Sequence, residues 1–346
     1  MLPPNLTPDH LTDLLHRAGD LDGARVVRVE VARTQANILS LSVWLQLTYE
    51  GTSPGAPATL FLKVPAPDRP KSTVDPREIA FYQGVAVLKP LTVMPRCYEA
   101  HTDPAAQHWH LLLEDLADTH VIATDWPLPP TQSECERMIR ALARFHAAWW
   151  EDDAIGTQVG FRPDADRMQA WATRLQTQFG RFADKAGEWL SVERRRLFER
   201  LIAAAPTVLG YGQRRPMTVI HGDAHVWNCF IPKPGVSAQE KWFDWDNSRV
   251  DLGASDLAYM MAVHWYPERR RRFESSLLDT YHDALVAAGI TGYTRGDLQD
   301  DYRLAVLRQM STPVWQHAAG IPAHVWWNHF ERVNAAAEDS GALELL

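Results

Sequence analysis

From Leu39 to Tyr49 an apolar residue falls at every second position, through Leu41, Val43, Leu45 and Leu47. That alternation predicts a strand buried on one face, because successive side chains of a strand point to opposite sides. Glu50-Gly51-Thr52-Ser53-Pro54-Gly55 carries turn chemistry, and Ala58 to Val64 reads as the returning strand of a hairpin. Upstream, Thr7-Pro8 opens a short helix with Leu11, Leu14 and Leu15 on one face and Gly19 at its end. Val27, Val29 and Val31 then alternate with Arg28 and Glu30, a second strand pattern. Downstream, Asp75 as N-cap and Pro76 at the first helical position predict a helix running to about Leu88. Arg96 to Ala100 and His108 to Leu113 are further strand candidates, and a Pro-rich passage, Trp126-Pro127-Leu128-Pro129-Pro130, separates this region from the next.

Beyond residue 130 the apolar period becomes helical. Met138, Leu142, Phe145 and Trp149 share one face at three- and four-residue spacing. Further helical patterns cover 163–189, 192–205, 268–288 and 296–318, interrupted at Met217 to Trp245 by short apolar runs around turns. No internal repeat or low-complexity segment is found. Strands come first and helices after, the segregation of an α+β fold.

Composition narrows the function classes. The 346 residues are 46% hydrophobic and 23% charged with a net charge of -8, enough material for two modest domains or one larger two-lobed unit. An acidic balance argues against a general nucleic-acid binder, which needs clustered Lys and Arg, and is compatible with a cationic or neutral substrate. Cys97, Cys135 and Cys229 lie far apart without a C-x-x-C pair, so neither a disulfide framework nor a zinc site is expected. Met1 to Asn5 has no basic region followed by an apolar run, and no apolar stretch approaches the roughly 18 residues of a spanning helix. The expectation is a cytoplasmic protein with no membrane or nucleic-acid partner.

The chemistry concentrates in the insert. Val219-Ile220-His221-Gly222-Asp223-Ala224-His225-Val226-Trp227-Asn228 is followed, after a turn at Pro232 to Gly235, by Lys241-Trp242-Phe243-Asp244-Trp245-Asp246. Apolar residues bracket both polar clusters, and burying so many carboxylates and amides is costly unless metal or substrate satisfies them. Phosphoryl transfer asks for an Asp to orient the attacking hydroxyl, oxygen ligands for Mg²⁺ and a cation against the nonreacting phosphates. Asp223 can take the first role, Asn228 with Asp244 the second, and Lys63 on Leu60-Phe61-Leu62-Lys63-Val64 the third, with Glu78 as its partner.

The segment His221 to Asn228 resembles the catalytic loop of the aminoglycoside phosphotransferase and choline/ecdysteroid kinase-like group, whose members have a protein-kinase-like fold. The related protein-kinase pattern is His-Arg-Asp with an Asn five residues after the Asp, the spacing of Asp223 and Asn228. Asp244 resembles the Mg-binding Asp of Asp-Phe-Gly, with Trp245-Asp246 in place of Phe-Gly, and Asp251 to Ala258 looks like the helix start that follows. Leu111-Leu112-Leu113-Glu114-Asp115-Leu116 is similar to the hinge whose backbone bonds adenine, at Glu114 and Leu116, and Glu78 to Tyr82 to the helix that supplies the lysine's partner. The likeness covers about residues 25 to 265. It implies a bilobal chain, with a nucleotide-gripping lobe over 1–116 and a catalytic, substrate-binding lobe over 117–346. It also implies Mg²⁺ and ATP as cofactors, with a small molecule phosphorylated on a hydroxyl. Where a Gly-rich loop would cover the phosphates, the chain has Arg33-Thr34-Gln35-Ala36-Asn37-Ile38-Leu39-Ser40, without a glycine.

Plainer readings stand beside these. Lys63 could reach solvent at an edge strand, and Glu78, three residues after Asp75, could close a capping box. His221 and His225 are read as holding the loop, His146 as a satisfied helix-packing residue, and Arg269 to Arg272 as a solvated helix face. Trp315, Trp326 and Trp327, crowded with His317, His324 and His329, are either core or an aromatic wall for a flat substrate. Two rival functions are a metal-dependent hydrolase built on His221, Asp223, His225 and Asp244, and a nucleotide-binding pseudokinase.

Overall fold

The computed structural model describes residues 2–37, 40–66, 77–103, 108–212 and 215–346. Its contacts divide the chain into two units: Met1–Val121 with Phe230–Asp246, and Ile122–Cys229 with Asn247–Leu346.

The first unit is a sheet with helices. Helix α1 (Pro8–Ala18) is capped by Thr7, whose hydroxyl accepts from the His10 amide, and is stopped by Gly19 at φ 77°. Strands β1 (Arg25–Ala36), β2 (Ser40–Glu50) and β3 (Thr59–Pro65) follow. Next come helices α2 (Arg77–Gln83) and α3 (Val85–Leu88) and strands β4 (Cys97–Asp103) and β5 (His108–Glu114). The strands form one five-stranded antiparallel sheet in the order β1-β2-β3-β5-β4. One face of it is core: Leu45, Leu60, Leu62 and Leu112 pack with Leu11 and Leu15 of α1. Residues Phe230–Asp246 join this unit through bonds from the Lys233 amide to the Thr119 carbonyl (2.9 Å) and from the Trp242 amide to the Val93 carbonyl (2.7 Å).

Two expectations change here. The Val27/Val29/Val31 alternation holds only in part: Val29 packs against the core opposite Leu47 and Val31 pairs with Leu45 but stays exposed, while a register shift between Val26 and Arg28 leaves Val27 exposed and Val26 buried. A bulge adds one residue to one strand and so exchanges which side chains face inward. The helix expected to reach Leu88 is broken at Gly84 into α2 and α3. Asp75, Pro76 and Leu39, invoked as N-cap, first helical residue and strand position, lie outside the described residues.

The second unit is helical. Helix α4 (Gln132–Ala148) begins with a complete capping box, Thr131 and Glu134 bonding each other's backbone amides. It is followed by α5 (Ala165–Ala186) and α6 (Val192–Gly212). Short strands Thr218–Ile220 and Arg249–Asp251 pair antiparallel and bracket the catalytic-loop sequence. Helix α7 (Ala254–Ala258) runs on into a π-helical turn, Tyr259–Val263, and α8 (Pro267–Ala287) follows. The pattern over 296–318 resolves into α9 (Arg295–Gln309) and α10 (Ser311–Ala318), and α11 (Ala323–Asp339), not singled out from the pattern, completes the set. Pro313 accounts for the break at Met310, since it has no amide to give the carbonyl of Gln309.

The run Arg269 to Arg272 is only partly a solvated face. Arg271 and Arg272 are exposed, but Arg270 is buried and bonded to Glu274 (3.0 Å) and to Asp339. Trp326 is core, edge-on to Phe182 and His317 at 5.3 Å each, whereas Trp315 is exposed. Among the described residues no helix is long and apolar enough to cross a membrane.

Candidate active site

In the first unit three of the residues read as ligands, Lys63, Glu78 and Asp244, gather around one ammonium, and Glu114 and Leu116 do not join them. Lys63, on β3, points to the sheet face opposite the leucine core, beside its cross-strand partners Ser42 and Leu111. Its Nζ donates to Glu78 Oε2 at 2.6 Å and to Asp244 Oδ1 at 2.7 Å. Glu78 comes from the first turn of α2 and is 7% exposed, so the pair with Lys63 is made in a desolvated site. Burial works against the ammonium, but the charges of Glu78 and Asp244 outweigh it and hold Lys63 protonated above the usual lysine range. Burial lifts the Glu78 carboxyl above the usual range, against the pull of Lys63.

Asp244 reaches this place from a strained backbone. Its φ of 66° lies in the left-handed region, uncommon for any residue but glycine, although aspartate adopts it more readily than most. Trp245 pins the turn: its indole donates to the Trp242 carbonyl at 2.9 Å and its ring stacks on Phe81 of α2 at 4.4 Å. It is fully buried.

The same sheet face carries Trp44 and Phe61, edge-on at 5.2 Å, with the Arg33 guanidinium 3.6 Å from the Trp44 ring. In the loop without glycines, the Asn37 amide bonds the Ser40 carbonyl at 2.8 Å and its side-chain amide donates to Ser42 Oγ at 2.8 Å; residues 38 and 39 lie outside the described set. The Glu114 side chain accepts from the Arg96 amide (2.8 Å) and from Lys241 Nζ (2.6 Å), tying Phe230–Asp246 to the sheet. The Leu116 carbonyl accepts the amides of Thr119 (3.1 Å) and His120 (2.8 Å), so the segment ends in a turn.

In the second unit Asp223 and Asn228 are held by one compact loop. Asn228 Nδ2 donates to Asp223 Oδ2 and to the Asp223 carbonyl, both at 3.1 Å. Committing the amide nitrogen this way turns the Asn228 side-chain oxygen away from Asp223. The Asp223 amide donates to His221 Nδ1 at 3.3 Å, the reading of His221 as a loop-holding residue, and His225 Nε2 stands 3.8 Å from Asp223 Oδ2. Gly222 sits at φ 83°, where an added Cβ would meet the Asn247 carbonyl oxygen at 2.1 Å; only glycine fits.

Three residues that support this loop were not singled out as site residues. Asp256, at the start of α7, is fully buried and accepts the amides of His221 (2.7 Å) and Gly222 (2.8 Å). His146 of α4 bonds Asp256 through Nε2 (3.2 Å) and Tyr281 of α8 through Nδ1 (2.8 Å). Burial opposes the Asp256 carboxylate, but His146, the charge of His221 and the Gly222 amide overcome it and hold the group below the usual carboxylate range. Gly253 leaves the space for this network, since a Cβ there would lie 2.2 Å from the Tyr281 hydroxyl. The available signal was Asp256 itself, inside the Asp251 to Ala258 segment that resembles the family's helix start.

Lys63, Glu78, Asp244, Glu114 and Leu116 thus belong to the first unit, and Asp223 and Asn228 to the second. The oxygen donors Asn228 and Asp244, expected as metal ligands, are of the hard type that suits Mg²⁺. Among the described residues no group of three or more His, Cys, Asp and Glu side chains is arranged to hold a metal ion.

A model of the phosphotransferase enzyme family matches residues 40–298. No curated protein matches the chain significantly. Among solved structures, choline kinase LicA from Streptococcus pneumoniae is similar at TM-score 0.53 and 12% identity, over 95% of this chain and 98% of that one. Plasmodium vivax ethanolamine kinase is similar at TM-score 0.53 and 12% identity, over 97% and 89%. An aminoglycoside 2'-phosphotransferase in its GDP complex is similar at TM-score 0.54 and 12% identity, over 97% and 98%. At that identity the likeness shows the fold: α+β, two-lobed and protein-kinase-like, as expected from the sequence.

Proposed function

The chain belongs to the phosphotransferase enzyme family, and from that membership we propose that it transfers a phosphoryl group from Mg-ATP to a hydroxyl of a small molecule. The observation that carries the ATP-dependent reading is Lys63 Nζ fixed at 2.6 Å and 2.7 Å between Glu78 and Asp244. An ammonium held charged and pointed by two carboxylates is a ready counter-charge for phosphate oxygens.

In this reading the first unit grips the nucleotide and the second carries the base and the acceptor. Lys63 steadies the α- and β-phosphates, and Glu78 keeps it oriented. The ring faces of Trp44 and Phe61 support the base, with the backbone of Glu114 and Leu116 at its edge. Asn37, Ser40 and Ser42 stand where glycine amides would approach the phosphates. Asn228 and Asp244 would hold Mg²⁺, which when bound neutralises charge developing on the phosphoryl oxygens. Asp223 accepts the proton of the attacking hydroxyl, its Oδ2 fixed by Asn228 at 3.1 Å so that the carboxylate cannot rotate away. Rate acceleration then comes from positioning and charge neutralisation, not from a covalent enzyme intermediate.

Isothermal titration with Mg-ATP, paired with a phosphoryl-transfer assay, tests the assignment. Asp223→Ala is expected to retain nucleotide binding and lose transfer by about a thousandfold, whereas Asp244→Ala loses both. Wild-type turnover in Asp223→Ala rejects the assignment. Nucleotide binding without transfer to any acceptor in the wild type is the pseudokinase outcome.

A further inference from the structure

A file of aromatic and imidazole rings leads from Asp223 into the second unit. His225 stands beside Asp223, and its ring lies 5.2 Å from that of His264. Trp227 and Tyr259 flank His264 at 5.8 Å and 4.8 Å, and His329 meets it from α11 at 4.6 Å. His225, Trp227 and Tyr259 are partly exposed at one end of the file, while His264 is 9% exposed at the other.

Three polar atoms of this file are not spent on the fold. Both ring nitrogens of His264 and the indole nitrogen of Trp227 are buried and have no hydrogen-bond partner among the described residues. An imidazole buried with a donor and an acceptor both unmet is costly, and such groups in native proteins mark a ligand or a bound water. The charges that bear on His264 are those of His225, His329 and Arg332, all basic, and with burial as the largest cause they drive it well below the ordinary histidine range. Arg332 is itself buried and donates to the His264 carbonyl at 2.8 Å. No carboxylate figures among the groups acting on His264 or His329.

We propose that this ring file is the acceptor subsite and that its acceptor is an uncharged alcohol: one hydroxyl at Asp223, an apolar face against Trp227 and Tyr259, and a second neutral oxygen for His264. The inference rests on the phosphotransferase reading for the role of Asp223. The O–P bond to the leaving nucleoside diphosphate breaks, the acceptor oxygen forms the new one, and its proton passes to Asp223. Neutral imidazoles with one donor and one acceptor suit a hydroxyl or carbonyl, whereas an ammonium ion at the His264 end would be set against Arg332, with the Asp223 carboxylate at the other end of the file. Sugars and fused-ring alcohols share this chemistry, since both present an apolar face for stacking.

Calorimetric titration of the full chain without nucleotide, using estriol, methyl glucoside, choline and kanamycin as probes, decides the question. One of the two neutral alcohols is expected to bind, identifying a fused ring or a sugar, and neither cation is. His264→Phe, which keeps the ring and removes both nitrogens, is expected to weaken that binding by about tenfold or more. If His264→Phe does not fold by circular dichroism, Trp227→Phe at the exposed end carries the same expectation. Binding of either cation, no binding of either neutral alcohol, or wild-type affinity in the folded variant overturns the proposal. Because nucleotide is absent, a failure of phosphoryl transfer counts against the function proposed above and leaves this binding result standing.

Discussion

Lys63 Nζ lies 2.7 Å from Asp244 Oδ1 across 181 positions of sequence, and the same ammonium lies 2.6 Å from Glu78. One buried cation therefore organises a strand, a helix and a strained turn of the first unit. Lys63→Met removes the cation and leaves two carboxylates facing one another, which is costly because Glu78 is buried and loses its counter-charge. The expected outcome is loss of transfer together with a stability loss of about 3 kcal/mol, read from urea unfolding. Glu78→Gln is the milder companion: it keeps the shape, loosens Lys63 and raises KM for Mg-ATP.

Gly222→Ala tests the loop backbone. At φ 83° with the Asn247 oxygen 2.1 Å from any Cβ, the loop must open to admit a methyl group. A destabilisation of about 2 kcal/mol or more and loss of transfer are expected, with Mg-ATP affinity of the first unit retained. Unchanged turnover in a folded Gly222→Ala protein contradicts the described loop.

Asp256→Asn tests the support beneath Asp223. The carboxylate accepts three bonds, from the His221 and Gly222 amides and His146, and an asparagine has one oxygen for them. The loop should loosen, so kcat falls by about tenfold to a hundredfold while nucleotide affinity is retained; stopped-flow and calorimetry separate the two. Tyr281→Phe, which removes one bond to His146, should show the same direction with a smaller effect.

Stability should fall as the medium is acidified from pH 6.5 toward pH 4. His329 is 3% exposed and is driven from 6.5 to about 4, chiefly by burial and then by Arg332 and His225. A folded-state pKa below the unfolded value means the unfolded chain binds protons first, so the stabilisation present above pH 6.5 is lost through that window, by up to about 3 kcal/mol. His264 acts in the same sense. Asp301, raised to about 6 mainly by burial, acts oppositely, favouring the fold at lower pH. The wild type minus His329→Gln difference in urea midpoint across this range isolates the histidine; a flat difference refutes it.

Much of the architecture was legible because it is local. The alternation through Leu41, Val43, Leu45 and Leu47 is β2, the leucines of α1 are its buried face, and the helices over 163–189 and 268–288 appear as α5 and α8. Periodicity reports burial of one face, and capping residues such as Thr7 and Thr131 act within a turn. The same locality explains the misreadings. A register shift in β1 put Val26 inside and Val27 outside, and a run of four arginines hid one, Arg270, whose partner Asp339 sits on another helix.

The spacing of Asp223 and Asn228 and the apolar frame around Asp244 were enough to indicate the chemistry, because a short loop presents both groups wherever it is placed. Partners distant in sequence were beyond its reach. That Lys63 also pairs with Asp244, that Phe230–Asp246 packs with the first unit, and that Asp256, His146 and Tyr281 brace the loop depend on which helices and strands come to adjoin. The histidines of residues 225, 264 and 329 are unremarkable one at a time in the chain. Packing removed water from His264 and His329 and set basic neighbours around them, and desolvation by surrounding segments is a property of tertiary contacts alone.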